Sequence, residues 1–376
     1  MWYNVRMGKV IRTAGTGRRG PLPGKRRKVC AWVRHEIAVG NLKPGERLPD
    51  RKWFMARFGI ANHPVQLAFE ELSRDGLVRS VPGHGTCVAD SLPFDGRYLL
   101  AVRSNPIDAG SHLFASALRL AAQEVAAQRG VSFEVRDLVD AERDSVAYAE
   151  MMDAVRRQRY AGVFVQCLTK EGHESDVLTN IDDVPMAYAG ESSHLAQGNL
   201  VKSIGMPDFE GIVAEFRRHF AACREKGCRR VAMFGAWNPQ YDRESYFRRL
   251  ARDYDLQIVP GGFHHFDMGR WYAEQFKRLV DLFFRSDGGR EADAIVLADD
   301  NMLMPFAEVH RKLFGRKDDA RHFVSCHCNA PLFPETDYPV SFHGYDLVAT
   351  LLSLVDYAKD CRAGVRRPRL PAFAPV

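Results

Sequence analysis

The sequence predicts a multidomain chain: an N-terminal winged helix-turn-helix unit of α+β type, followed by a large two-lobed α/β domain. Three observations predict it. Residues 28–90 run helix, helix, helix, β-hairpin, and residues 97–376 repeat a strand–helix alternation that breaks near 200–206. The charge divides at the same boundary. The 376 residues carry a net +6, but residues 1–90 hold 17 Lys/Arg against 7 Asp/Glu, net +10, and the rest hold 36 against 40, net −4. Positive charge concentrated on one small unit is the electrostatic footprint of a nucleic-acid binder. The 46% hydrophobic content is that of an ordinary globular protein. No run of 18 apolar residues suggests a membrane span, and the N-terminus lacks an apolar segment of signal-peptide length, so a cytoplasmic protein is expected. The eight cysteines sit singly in apolar runs such as "RKVCAWV" and "VFVQCL", and read as buried thiols in a reducing compartment.

Residues 1–27 are basic, rich in Gly and Pro, and expected to be a disordered tail. From Lys28, Val29, Val33 and Ile37 recur at i, i+4, i+8 and mark one apolar helical stripe. Gly40 closes that helix, and "NLKPGERLP" is a loop of turn residues. Asp50 is placed to cap a second helix, which buries Phe54, Met55 and Phe58 and stops at Gly59. A third helix starts near Asn62; Pro64 is tolerated because first-turn N–H groups have no helical partner. Its core face is Val65, Ala68, Phe69 and Leu72, and Gly76 ends it. "LVRSV" and "TCVA" flank "PGHG" and read as a hairpin. Cys87 alternates with Thr86 and Val88 and should face away from both. Three helices and a hairpin form a winged helix-turn-helix, whose third helix enters the DNA major groove.

Residues 38–89 resemble the DNA-binding domain of the GntR family of bacterial repressors. Gly40, Pro44-Gly45, Leu48-Pro49, Gly59, Val65, Ala68, Leu72, Gly76-Leu77-Val78 and Gly83, Gly85, Thr86, Val88 follow that family's order and spacing. The resemblance implies DNA contacts from Lys52, Asn62, His63, Gln66, His84 and Gly85. Three of these positions depart from the pattern. Ala61-Asn62 replaces a Ser-Arg, Gln66 replaces a basic residue, and Lys52 stands where an Arg is common. Asn and Gln can pair with an adenine edge in two places, whereas Arg favours guanine. The expected operator is therefore less guanine-led than is usual for the family. His84, at the wing tip, is expected to meet a phosphate or the minor groove, and Gly85 to let the backbone approach the DNA.

Residues 91–96 read as a linker and 97–376 as the effector-binding and dimerisation domain. Strands are expected at "RYLLAV", "SFEVRDL", "AGVFVQCL", "VPMAYAG", "RRVAMFG", "LQIVP", "AIVLA" and "HFVSC". Helices fall between them, at 207–226, 241–253, 267–285 and 301–313 in the second series, with a last one at 345–360. Alternating βα units make parallel sheets covered on both faces, and ligands of such sheets sit beyond the carboxyl ends of the strands. By position alone, Asp108 and Ser111 after the first strand and Trp237 after "RRVAMFG" become candidates. Trp237 can stack on a sugar face or pack at a lobe interface. Phosphate-loop, zinc-protease and nucleophile-elbow motifs are missing, so no enzyme and no cofactor are expected. In "CHC", strand alternation turns Cys326 and Cys328 to one face and His327 to the other, and no metal site is expected.

The body is similar to the sugar-sensing domain of the LacI family, which has the periplasmic-binding-protein fold. The segments are "RRQRYAGVFV" with "VPMAYAG", then "DFEGIVAEFRRHFAACREKGCRRVAMFG", "DRESYFRRL" and "DAIVLADDNMLMPFAEVHRKL". Such a head-and-body pairing is that of the arabinose repressor of bacilli. By resemblance Arg243 matches the family's R-x-x-G-F arginine, although Tyr246-Phe247 replaces the Gly-Phe, and Asp300 matches the aspartate ending its strand. A guanidinium and an acceptor-only carboxylate both suit sugar hydroxyls. Arg243 could instead form a surface ion pair with Glu244 or Asp242, and Asp300 could cap the following helix. The resemblance implies a repressor that binds a two-fold symmetric double-stranded DNA operator as a homodimer and responds to a carbohydrate effector. The competing reading is a DNA-binding regulator whose body has lost its ligand and serves dimerisation or partner contact.

Overall fold

The computed structural model describes residues 24–102, 112–137, 146–166, 184–189, 201–204, 209–235, 243–266, 272–315, 321–365 and 374–376. Helix α1 spans Lys25–Ala38, α2 Arg51–Phe58 and α3 Asn62–Arg74. Helix α1 therefore begins three residues before the expected onset at Lys28, inside what the sequence assigns to the tail. Its first turn is solvent-exposed, so no apolar periodicity marks it, and Arg26 fastens it to Glu71 at 3.1 Å. The rest of the expected tail, residues 1–23, lies outside the described residues. Asp50 does cap α2, accepting from the Trp53 N–H at 2.8 Å. Gly59 ends it at φ +61°, in the left-handed region that glycine enters without a Cβ clash. Val29, Val33, Ile37, Phe54, Val65, Ala68 and Leu72 close the small core.

Strands β1 (Val78–Val81) and β2 (Gly85–Val88) form the wing, paired antiparallel from Val78↔Val88 to Val81↔Gly85. Cys87 and Val88 are both buried, although strand alternation sends them to opposite faces. The loop residue Arg47 forms an antiparallel bridge with Cys87, beside the edge of the hairpin.

The body holds two sheets. The first lobe has the five-stranded order β4-β3-β5-β6-β7, from β3 (Arg97–Val102), β4 (Ser132–Asp137), β5 (Gly162–Gln166), β6 (Met186–Ala189) and β7 (Val201–Ile204). All its pairings are parallel. The second lobe contains β8 (Arg230–Gly235), β9 (Gln257–His265), β10 (Ala294–Leu297), β11 (Phe323–Ala330), β12 (Ser341–Asp346) and β13 (Ala374–Pro375). Their order is β13-β12-β11-β10-β8-β9, with only β13 antiparallel to its neighbour.

Three strands were not expected: β7, inside the break near 200–206, the short β13, and β12 in "SFHGYD". Its residues are only partly buried except Gly344, and it lacks the apolar run that marks a central strand. The last helix, Leu347–Arg362, follows the second series in sequence but packs on the first lobe. Leu347, Leu351, Leu354 and Val355 share one apolar core with Tyr98, Leu100, Ala117, Leu118 and Phe164. The chain thus passes from lobe to lobe after β7, after β12 and again before β13.

The expected linker is packed. Leu92 and Phe94 belong to the same core as the head helices and the first lobe, and the Arg362 guanidinium lies 3.9 Å from the Phe94 ring centroid.

Candidate functional site

The amino-terminal end of α3 carries the first candidate surface. With Val65, Ala68, Phe69 and Leu72 turned inward, the helical period leaves Asn62, His63 and Gln66 on the outer face, all exposed. Gln66 Nε2 donates to Glu70 Oε1 at 3.0 Å, an i, i+4 pair that holds the amide along the helix. Lys52 is exposed in the first turn of α2. His84 sits at the wing tip, with Nδ1 3.5 Å from the Pro82 carbonyl oxygen. Gly85 is at φ +91°, and a Cβ there would stand 3.4 Å from Arg47 Nε. Sequence reading passed over Arg47, which lies between a turn and a proline in "PGERLP". Its pairing to the wing, not its own sequence neighbourhood, places its charge beside Gly85.

The second candidate surface is at the carboxyl ends of the second lobe's strands. Asp108, Ser111 and Trp237 lie outside the described residues. Arg243 opens the helix Arg243–Arg252 and is partly buried. Glu244 does not pair with it in a surface bridge; that carboxylate takes Arg248, at 2.7 Å. Asp300 is buried and starts the short 3-10 turn Asp300–Met302. The cap of that turn is Asp299, which accepts from the Asn301 N–H at 2.9 Å. The capping role open for Asp300 therefore falls to its neighbour.

Asp300 instead ends a string of buried polar side chains. Ser325 Oγ lies 2.7 Å from His219 Nδ1, and His219 Nε2 lies 3.4 Å from Glu215 Oε1. The same carboxylate oxygen is 2.7 Å from His327 Nδ1, and His327 Nε2 is 3.0 Å from Asn329 Nδ2. Asn329 Nδ2 also donates to Asp300 Oδ2 at 3.2 Å. Glu215 and His219 come from one face of the helix Phe209–Glu225, and Ser325, His327 and Asn329 from β11. Strand alternation turns Cys326 and Cys328 away, as expected, and both thiols are buried. Among the described residues no group of three or more His, Cys, Asp or Glu is placed to hold a metal ion.

The electrostatics follow from burial and pairing. Burial works against a charged His327, but the Glu215 carboxylate at 2.7 Å, with Asp300 and Asp299 behind it, outweighs burial and lifts the ring to about 9. Burial alone would raise Glu215, yet His327 and His219 hold it well below the carboxylate range. His219 is pushed down by burial, so a neutral ring accepts from Ser325 and donates to Glu215. Burial, then the charge of Asp299, raises Asp300 to about 6.

A protonated His327 Nε2 cannot accept from an amide nitrogen, so Asn329 has two settings: nitrogen toward a neutral ring, or oxygen toward a charged one. With the ring lifted to about 9 the second setting holds at neutral pH, and the Asn329 oxygen accepts from His327; in the first, with a neutral ring, Asn329 Oδ1 is buried with no hydrogen-bond partner. Glu215, His219, His327 and Asn329 were missed by sequence reading. Each looks ordinary alone, and 114 positions separate the ends of the set.

Residues 25–88 match the family model described as bacterial regulatory proteins, gntR family. The N-terminal unit is a gntR-type DNA-binding domain. The chain is 33% identical over 64 residues to the mannosyl-D-glycerate transport/metabolism system repressor MngR of Escherichia coli (strain K12), 17% of this chain and 27% of that protein. The chain thus spans about a quarter of the length of this curated relative.

Beyond the gntR-type head the likeness is one of fold. A solved complex of the transcriptional regulator CelR with cellobiose superposes with a TM-score of 0.53 at 14% identity, over 88% of this chain and 98% of that one. A LacI-family regulator from Lactobacillus casei with bound sucrose gives 0.51 at 12%, over 74% and 97%. The body has the two-lobed α/β fold of these LacI-type regulators. No helix of the described residues is long and apolar enough to cross a membrane.

Proposed function

We propose that the protein is a sequence-specific DNA-binding transcriptional regulator, a repressor, whose operator affinity is controlled by a carbohydrate held between the lobes of its body. One observation carries this reading: a gntR-type head with an exposed recognition face is joined to a LacI-type body whose strand ends gather the buried polar side chains Asp300 and Asn329. A carboxylate and an amide suit sugar hydroxyls, which both donate and accept. The similar proteins, a repressor and two regulators solved with bound sugars, agree with it.

The protein acts in the cytoplasm as a homodimer on a two-fold symmetric operator, bound to the nucleoid through it. Paired heads need paired half-sites. Lys52, Asn62, His63, Gln66, His84 and Gly85 face the DNA, and Arg243 and Asp300 face the sugar, together with Asp108, Ser111 and Trp237. The reading involves no catalytic step and no cofactor. Effector control requires different ligand affinity in two states of the body, worth about 1–3 kcal/mol of coupling.

Thermal-shift measurement with cellobiose, sucrose and glucose tests the effector half, because a ligand of the folded state raises apparent stability. Arg243→Ala is expected to abolish the shift and the release from DNA while keeping operator affinity. Equal loss of both would make Arg243 structural. Selection from randomised duplexes tests the other half; guanine at the positions facing Asn62 and Gln66 would refute the expected operator.

A further inference from the structure

We infer that the head is docked rigidly on the first lobe, and that the helix Leu347–Arg362 is a strut by which the candidate effector site sets the head's orientation. The inference builds on the proposed regulator. It adds a route, and it replaces the linker expected at 91–96 by a packed joint.

The docking surface is specific. Gln158, fully buried at φ +53°, reaches both ways. Its Nε2 donates to the Arg34 carbonyl in the middle of α1 at 2.6 Å, and its Oε1 accepts from Arg362 Nη1 at 3.2 Å. Arg362 also donates to the carbonyls of Ala161 and Tyr160, at 3.2 and 3.1 Å. One amide therefore ties the head, the first lobe and the end of the last helix. Beside it, Asp75 at the end of α3 takes Arg34 at 2.6 Å and stands within 4 Å of Arg157 and Arg159 from the lobe. The side chains of Asp75 and Arg34 are 4% and 12% exposed, so water screens that pair little, while the more exposed Arg157 and Arg159 add weaker attraction.

The backbones of the two helix ends also meet. A Cβ on Gly40, after α1, would overlap the backbone from Arg362 to Gly364, and one on Gly364 would stand 3.2 Å from the Val39 carbonyl oxygen. Ala38 packs with Tyr357 and Cys361.

The other end of the strut is at the candidate effector site. The helix begins directly after β12, with Asp346 as its cap, accepting from the Ala349 N–H at 2.9 Å. The preceding residue, Tyr345, has its ring 5.6 Å from that of His327. Arg218 Nη2 donates to the Gly344 carbonyl at 2.9 Å, and Gly344 packs so closely on Cys328 that a Cβ has no room. Sixteen helical residues span about 24 Å at the usual rise. A helix that is seated tightly at both ends transmits displacement rather than absorbing it. The DNA-facing candidates stay exposed in the docked arrangement, so docking orients the head without masking it.

Hydrogen exchange on the full-length protein tests this without effector or operator. Gln158→Asn keeps a residue that tolerates positive φ but cannot span both partners. It is expected to speed exchange of the amides at 34–42 by about tenfold or more, with β8 and β10 unchanged. Asp75→Asn is expected to act in the same direction. Tyr345→Leu, which removes the ring beside His327 at the far end, is expected to change exchange at the same amides. Unchanged protection at 34–42 in both Gln158→Asn and Asp75→Asn overturns the docking. A response to those two with none to Tyr345→Leu overturns the strut. Binding of the wild type to random duplex DNA at low salt is read in parallel. Its absence would sink the regulator reading, while the exchange result would still decide the joint.

Discussion

The head and the second lobe put polar groups to opposite uses. In the head, Asn62, His63 and Gln66 fall within five residues, stand on one helical face and are exposed. They contribute almost nothing to the fold, which rests on Phe54, Val65 and Leu72 behind them. In the second lobe, Glu215, His219, His327, Asn329 and Asp300 are brought together from a helix, a strand and a turn. All but His327 are at least nine-tenths buried. There each polar group is part of the fold, because a buried charge or amide must be paired. A surface that reads an external partner can vary residue by residue; a buried network changes only as a set.

The largest test of that difference is Glu215→Leu. It leaves His327 without its carboxylate and is expected to cost about 3–5 kcal/mol, the usual result of breaking a buried pair. Urea unfolding measures this, and Glu215→Gln, which keeps an acceptor, should cost less. A loss under ~1 kcal/mol would mean the network is not structural.

The pH dependence comes next. His327 has its folded value lifted from 6.5 to about 9, so its contribution is fully present below 6.5 and lost as pH rises through 9. That difference corresponds to roughly 3 kcal/mol. His310, His322 and His343 are pushed down from 6.5 to about 4 by burial. Their neutral forms stabilise the fold above 6.5, and that stability is lost as pH falls toward 4. Stability should therefore peak near pH 6.5, and His327→Gln should flatten only the alkaline limb. A profile unchanged above pH 6.5 in that variant would remove His327 from the account.

In the head the same logic predicts a separation of effects. Gln66→Ala and Asn62→Ala are expected to change melting temperature little, since both are exposed, and to cost about 1–3 kcal/mol of discrimination at one operator position each. Competition binding to point-substituted operators checks this; uniform weakening across all sequences would instead make the two residues backbone contacts. The smallest effect belongs to Asp50→Ala, which removes the cap of α2. It should cost about 1 kcal/mol of head stability, read by thermal unfolding.

The sequence by itself determined the head. Its apolar stripes at Val29, Val33, Ile37 and at Val65, Ala68, Phe69, Leu72, its cap at Asp50 and its glycine stops are local signals, and local hydrogen bonds and side-chain periodicity act over a few residues. It also determined the two βα series and placed Asp300 at a strand end.

Only the tertiary structure decided the rest. It sent the helix Leu347–Arg362 back to the first lobe, because that lobe's core, not the neighbouring sequence, covers Leu351 and Val355. It turned the linker into a joint through Phe94 and Arg362. It also joined Glu215 to His327 at 2.7 Å across 112 positions. Burial and pairing energies depend on which surfaces meet in space, and no local pattern in the chain encodes those meetings.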